Sequence, residues 1–391
     1  MTRELARLIL AQICLHACMA GTRLAAPLLA LKQGYSPAAV GLLLALFALT
    51  QVFLALPAGR FADRHGLKRP VRYSVLAAMT GAGAAVAFPV FPVLCLSALL
   101  TGGATGTAVI ALQRHVGRAA SGPVQLRQVF SWLSIGPAFS NFLGPFAAGL
   151  LIDHAGSSPN SLPGYRVAFF LLALLPLGSW FLVRSTRELP PVLVTEAGAR
   201  PKAWDLLREP MFRRLMLVNW FLSSCWDVHT FVVPVLGFER GISASVIGSI
   251  LGAFALAAAA VRVVMPLLAA HLEEWKVLAS AMLVTAFLFG VYPFMRSALG
   301  MGLCSVLLGL ALGTVQPMIM SMLHQITPEA RHGEALGLRL MAINASSVAM
   351  PILFGSVGAV VGVAAVFWAT GLVVGLGSRT AWLLKGSQVP K

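Results

Sequence analysis

Gly59-Arg-Phe-Ala-Asp63-Arg64-His-Gly66-Leu-Lys68-Arg69 separates two apolar runs, 37–59 and 71–91. Each run approaches or exceeds the ~20 residues that a helix needs to cross the hydrocarbon core of a bilayer. Further runs lie near 6–31, 93–113, 124–152, 165–184, 211–236, 244–270, 276–295, 298–321, 334–357 and 361–384. All are long and none alternates as a barrel strand would, so helices are expected throughout. The 391 residues are 58% hydrophobic and only 11% charged, against roughly 25% charged in soluble proteins. That composition excludes a soluble enzyme and a disulfide-stapled secreted domain. The expected fold is all-α and integral to the membrane, with twelve transmembrane helices.

The net charge of +16 reflects topology. With the N-terminus inside, tails and loops on the cytoplasmic side hold 23 of the 29 Lys and Arg, and the opposite side holds four (Lys32, Arg166, Arg240, Arg296). Arg23 and Arg262 fall within spans. This asymmetry follows the positive-inside rule, places both termini in the cytoplasm and leaves no case for nucleic acid. The run from Leu5 to Leu31 exceeds a cleaved leader's apolar segment and is expected to remain a span. Cys14, Cys18, Cys95, Cys225 and Cys304 all sit in apolar stretches without metal-ligand spacing. No cofactor or metal is expected, and the absence of a P-loop argues against ATP-driven transport.

The chain carries an internal repeat. A shift of 207 takes Pro27, Gly34, Ser36 and Gly41 to Pro234, Gly241, Ser243 and Gly248, and a shift of 206 takes Pro145 and Gly149 to Pro351 and Gly355. The polar, proline-containing stretch that follows Arg184 then reads as a linker. Two pseudo-symmetric six-helix bundles are expected, 1–184 and 211–391, joined by a cytoplasmic linker at 185–210. Parallel repeats of this kind occur in one large transporter class, with the substrate site at the repeat interface.

The 59–69 loop has its own physical logic. Gly59 allows close helix packing, Gly66 a tight turn, and Asp63 can face a helix N-terminus or a basic residue. Gly59, Asp63, Arg64, Gly66, Lys68 and Arg69 also resemble the signature of the major facilitator superfamily, in the loop where that family carries it. The resemblance implies transport by alternating access and makes these six residues a conformational latch. The shifted copy has decayed, with Pro266, Ala270 and Glu273 at the positions of Gly59, Asp63 and Gly66, so a latch there must use other groups. Ser140-Asn141-Phe-Leu-Gly144-Pro145-Phe-Ala-Ala148-Gly149 resembles the motif of the drug–proton antiporters in that superfamily, with Gly144, Pro145 and Gly149 in register. It differs in Ser140 and Ala148, and the fourth span lacks the arginine usual in that subgroup. Gly-Pro in a membrane helix also suggests a kink.

Polar residues within spans are costly and default to function. Gln12, His16 and Arg23 fall within about 40° of one another on a helix, forming one stripe. The 207 shift sends them to Asn219, Ser223 and Thr230, all polar. In the superfamily these helices line the central cavity, so both stripes are expected to hold substrate, with Trp226 and Gln316 beside them. Asp227 is the acid expected to couple transport to protons. The alternative is a structural Arg23–Asp227 pair that closes a gate. His229 is read as a packed histidine, and Arg262 as paired with Glu273, Glu274 or Glu334 or snorkelling. The expected function is proton-coupled efflux of a small organic solute across the inner membrane by a monomer among membrane lipids. Import of an organic anion and a non-transporting sensor of the same fold are the alternatives.

Overall fold

The computed structural model describes residues 3–35, 37–156, 161–189, 202–240, 242 and 244–387. The repeat markers Ser36, Gly241 and Ser243, and residues 190–201 of the linker, lie outside the described residues. Fourteen α-helices occur among the described residues, and no strand. They are α1 (Arg3–Lys32), α2 (Pro37–His65), α3 (Lys68–Ala87), α4 (Phe91–Ala119), α5 (Pro123–Leu133), α6 (Ile135–His154) and α7 (Leu162–Val183), followed by α8 (Pro210–Glu239), α9 (Ala244–Leu268), α10 (Glu274–Val291), α11 (Ala298–Gly313), α12 (Val315–Ile326), α13 (His332–Val361) and α14 (Val363–Trp382). Eight helical stretches among the described residues are long and apolar enough to span a membrane. Their outward surfaces stay apolar, with Phe53, Leu256, Phe287 and Leu299 all strongly exposed, as helices bathed in lipid require.

The chain folds into two compact units. Unit 1 comprises residues 1–119, 135–197 and 329–344; unit 2 comprises 120–134, 198–328 and 345–391. In unit 1, α1 packs on α6, α2 on α4, and α3 on α4 and α7. Backbones touch where glycine permits it: a Cβ on Gly102 would lie 2.4 Å from Phe47 O, and one on Gly144 2.3 Å from Ala17 O. In unit 2, α9 packs on α11, α10 on α14, and α5 on α12. The α9–α11 contact repeats the α2–α4 contact 207 residues later, where a Cβ on Gly309 would lie 2.3 Å from Phe254 O. Without a hydrophobic drive between helices in lipid, such close approach is what holds them.

Two apolar runs expected as single helices are interrupted. The 124–152 run breaks at Ser134, between α5 and α6, and the 298–321 run at Thr314, between α11 and α12. Each break stands three residues before a proline, Pro137 or Pro317, whose ring crowds the carbonyl four residues back and offers it no N–H. The helix runs on through Gly144-Pro145, so the interruption falls upstream of the position read from the sequence.

Candidate functional site

The stripe on α1 divides. Gln12 is buried with its Oε1 against α6, 3.1 Å from where a Cβ on Gly136 would sit, and that oxygen has no hydrogen-bond partner among the described residues. His16 is bonded to the Asn141 side chain of α6, leaving Nδ1 without a partner. Arg23 is exposed. Two of the three stripe residues thus help to hold α1 to α6, beside Ser140, whose hydroxyl donates to Gly136 O at 2.7 Å and to Ile13 O at 3.3 Å. Gly144 belongs to the same contact, because any side chain there would strike α1. Gly149 has room, with Leu24 3.9 Å from its Cβ position, and Pro145 is half-buried.

On α8, Asn219 is buried and Ser223 half-buried. Thr230 is exposed, but its hydroxyl donates to Trp226 O at 3.0 Å and Asp227 O at 3.1 Å within its own helix. Asp227 is half-buried and receives the Ser347 hydroxyl at 3.4 Å on each carboxylate oxygen. Next to it Ser224 and Ser346 are bonded at 3.3 Å. Trp226 meets the Phe254 ring edge-on at 4.6 Å, an arrangement of packing. Gln316 is half-buried in the first turn of α12. His229 is a packed histidine, as read: it is fully buried, stacks on Phe254 and bonds Ser305 Oγ at 2.9 Å, which in turn contacts the Tyr292 hydroxyl at 2.8 Å.

The 59–69 loop forms a corner in unit 1. Asp63, at the end of α2, accepts from Arg114 Nε at 2.6 Å and from the backbone N–H groups of Gly333 and Glu334 at 2.9 and 3.1 Å. A carboxylate at the start of α13 meets unsatisfied N–H groups and the positive end of the helix dipole. Gly59 and Gly333 touch backbone to backbone, each Cβ position lying 2.1 to 2.2 Å from the other's carbonyl oxygen. Arg60 pairs with Glu334 at 2.7 Å and Arg118 with Glu329 at 2.5 Å. Gly66 turns at φ +71°, and a Cβ there would come within 2.8 Å of Glu188 Oε1. That oxygen accepts from Leu67 N and Lys68 N at 3.0 and 2.8 Å, satisfying the start of α3. Arg64 and Arg69 are exposed and Lys68 half-buried.

Unit 2 has a corresponding corner that the sequence reading left unassigned. Glu274, at the start of α10 and almost fully buried, receives Arg127 Nη1 at 2.9 Å, Ser321 Oγ at 2.9 Å and Gln325 Nε2 at 2.7 Å. Arg127 Nε donates to Ala269 O at 2.8 Å and Gln128 Nε2 to Pro266 O at 3.3 Å. Ser321 and Gln325 stand 207 residues after Arg114 and Arg118, so the repeat itself was the signal for this cluster. Among the described residues Arg262 pairs with no acid. Glu273 holds Lys276, Glu274 holds Arg127, and Glu334 holds Arg60 and Arg331. Its guanidinium instead reaches two carbonyls, Gly313 O at 3.1 Å and Ser134 O at 3.3 Å. No group of three or more His, Cys, Asp or Glu with metal-binding geometry occurs among the described residues.

Apolar membrane-spanning helices, two units built on one repeated packing scheme and a glycine-acid corner at the 59–69 loop together define a membrane transporter fold. The family model described as Major Facilitator Superfamily matches residues 8–304 and 215–391, and the chain belongs to that family. It is similar to the protein named Multidrug resistance protein MdtG from Klebsiella pneumoniae (strain 342), 25% identical over 347 residues, covering 84% of this chain and 80% of that one. The protein of the same name from Salmonella typhimurium is 26% identical over 344 residues, covering 86% and 83%. Among solved structures, FucP in the outward conformation superposes with a TM-score of 0.82 at 14% identity, covering 99% of each chain. The human organic anion transporter MFSD10 gives 0.76 at 17% identity, covering 97% of this chain and 100% of that one. At these identities the structural likeness concerns the fold. The chain is a multi-pass membrane transporter of small molecules and not an enzyme.

Proposed function

We propose that this transporter exports a small organic solute across the inner membrane in exchange for protons, working by alternating access as a monomer. The reading takes α5 with α6 and α11 with α12 as single spans, which gives twelve in two six-helix halves, 1–184 and 211–391, joined at 185–210. Both termini are cytoplasmic on the charge asymmetry, and Gly59, Asp63, Arg64, Gly66, Lys68 and Arg69 form the cytoplasmic latch. Similarity to proteins named for multidrug resistance supports efflux. The observation that carries proton coupling is Asp227, a half-buried acid of a membrane helix whose carboxylate is held only by the weak Ser347 contacts among the bonds identified in unit 2. An acid so lightly held within its unit is free to exchange a proton during transport. Arg23, Ser223, Thr230 and Gln316 offer the accessible polar groups for substrate, with Gln12, His16, Asn219 and Trp226 as their packed support.

Proteoliposomes with an imposed pH gradient test this. Asp227→Asn is expected to abolish gradient-driven efflux of a lipophilic cation such as ethidium while leaving counterflow intact. Full gradient-driven transport with an unchanged pH profile would sink the proton role. A second reading, proton-coupled import of an organic anion, is favoured by exposed Arg23. Stabilisation of the purified protein by organic anions, lost in Arg23→Ala, would establish it in place of efflux.

A further inference from the structure

The two interrupted helices that meet in unit 2 share one local design. Ser134 and Thr314 both have αR backbone with shallow ψ (−11° and −22°). Each hydroxyl donates to the carbonyl three residues back, Ser134 Oγ to Ser131 O at 2.8 Å and Thr314 Oγ1 to Ala311 O at 2.7 Å. Such back-bonding bends helices, and the proline three residues on completes the break. Pro317 has no N–H, so Gly313 O, four residues earlier, lacks its helical donor. Arg262 of α9 is buried where α5 and α11 both pack, and it fills that role. Nε donates to Gly313 O and Nη1 to Ser134 O, so one rigid guanidinium spans both breaks.

The position is specific to this half. The residue 207 before Arg262 is Ala55, whose carbonyl simply meets Gly337, and α4 runs unbroken through Gly106, the counterpart of Gly313. Burying a cation in a membrane helix is expensive, and the other half builds the same corner from small residues. The break at Ser134 is also where the chain passes from unit 2 to unit 1, at the Ser134–Ile135 peptide. The last passage between units, at Asn344–Ala345, lies inside the unbroken helix α13.

We propose that Arg262 is a positioning residue of the transport cycle that couples the bend at Ser134 to the bend at Thr314, so that α5 and α11/α12 flex as a linked pair. The test is hydrogen–deuterium exchange of the full chain in lipid nanodiscs, read in peptides covering 131–138 and 311–318. Arg262→Ala is expected to speed exchange about tenfold in both peptides, with segment 275–289 of α10 unchanged. Gln128→Ala, which removes a different α5–α9 bond, should alter neither. Ser134→Ala should slow exchange at 131–138 and, through the clamp, also at 311–318, and the second effect should vanish in the Ser134→Ala, Arg262→Ala double variant. If Arg262→Ala does not yield folded protein, Arg262→Lys decides, since an ammonium on a flexible stem cannot hold both carbonyls in the same fork and at least one break must open. Unchanged exchange at both breaks, uniform acceleration throughout unit 2, or no transmission from Ser134 to 311–318 would overturn the proposal.

Discussion

The corners built on Asp63 and on Glu274 occupy corresponding places in the two repeats, yet their chemistry is exchanged. Both acids gather donors from several elements. Those of Asp63 include two backbone N–H groups of α13, whereas Arg127, Ser321 and Gln325 reach Glu274 through their side chains. In unit 1 the end of α2 supplies a carboxylate to a helix start; in unit 2 the end of α9 supplies carbonyls, Pro266 O and Ala269 O, to side chains of α5. Arg127 and Gln128 stand 206 residues before Gly333 and Glu334, so even the donor positions correspond. The opposite ends show no such exchange. Gln33 donates to Pro89 O, and Arg240, 207 residues later, donates to Pro293 O and Met295 O. Position in the repeat is retained, and which partner contributes charge is free to change.

The difference can be broken most sharply at Glu274. Glu274→Ala leaves Arg127, 7% exposed, without its anion, and should cost about 3–5 kcal/mol, measured by equilibrium unfolding in mixed micelles. A cost near zero would show that the two corners do not bear comparable weight. Next comes Gly59→Ala, which drives a methyl into Gly333 O and should cost about 1–3 kcal/mol with loss of transport. Pro266→Ala at the matching position meets no such backbone and should stay within about 1 kcal/mol, which the same unfolding curves would reveal. Gln325→Ala removes one neutral donor from Glu274 and should cost about 1 kcal/mol. Smallest is Arg60→Ala. Its pair with Glu334 is half exposed, so at most about 0.5 kcal/mol is expected, vanishing at high salt.

The sequence displayed the first corner because its signal is local. Gly59, Asp63 and Gly66 lie close together in sequence at the end of α2 and the turn after it, and an acid at a helix end has few partners besides a cation or a helix start. The second corner draws Arg127, Glu274, Ser321 and Gln325 from three helices, and only the repeat shift connects them. The α1 stripe shows the limit of periodicity. Spacing put Gln12, His16 and Arg23 on one side, but it could not tell that α6 covers the first two and leaves the third exposed. The prolines at 137 and 317 were visible, but in the 124–152 run the kink was read at Gly144-Pro145 instead. What escaped was the hydroxyl three residues before each, and the cation that answers both carbonyls. Arg262 was therefore read as paired with an acid or snorkelling, whereas the acids named for it hold other cations.

Asp63 bonds to backbone N–H groups, and that choice leaves a trace in inheritance. Every amino acid except proline carries an N–H, so positions 333 and 334 can drift without losing those two bonds, limited at 333 by the space beside Gly59. Positions 127, 274, 321 and 325 have no such latitude, because each supplies its bond through its own side chain. Among descendants of this chain, the second corner should change by matched substitutions, while around Asp63 only Arg114 should change in step with it.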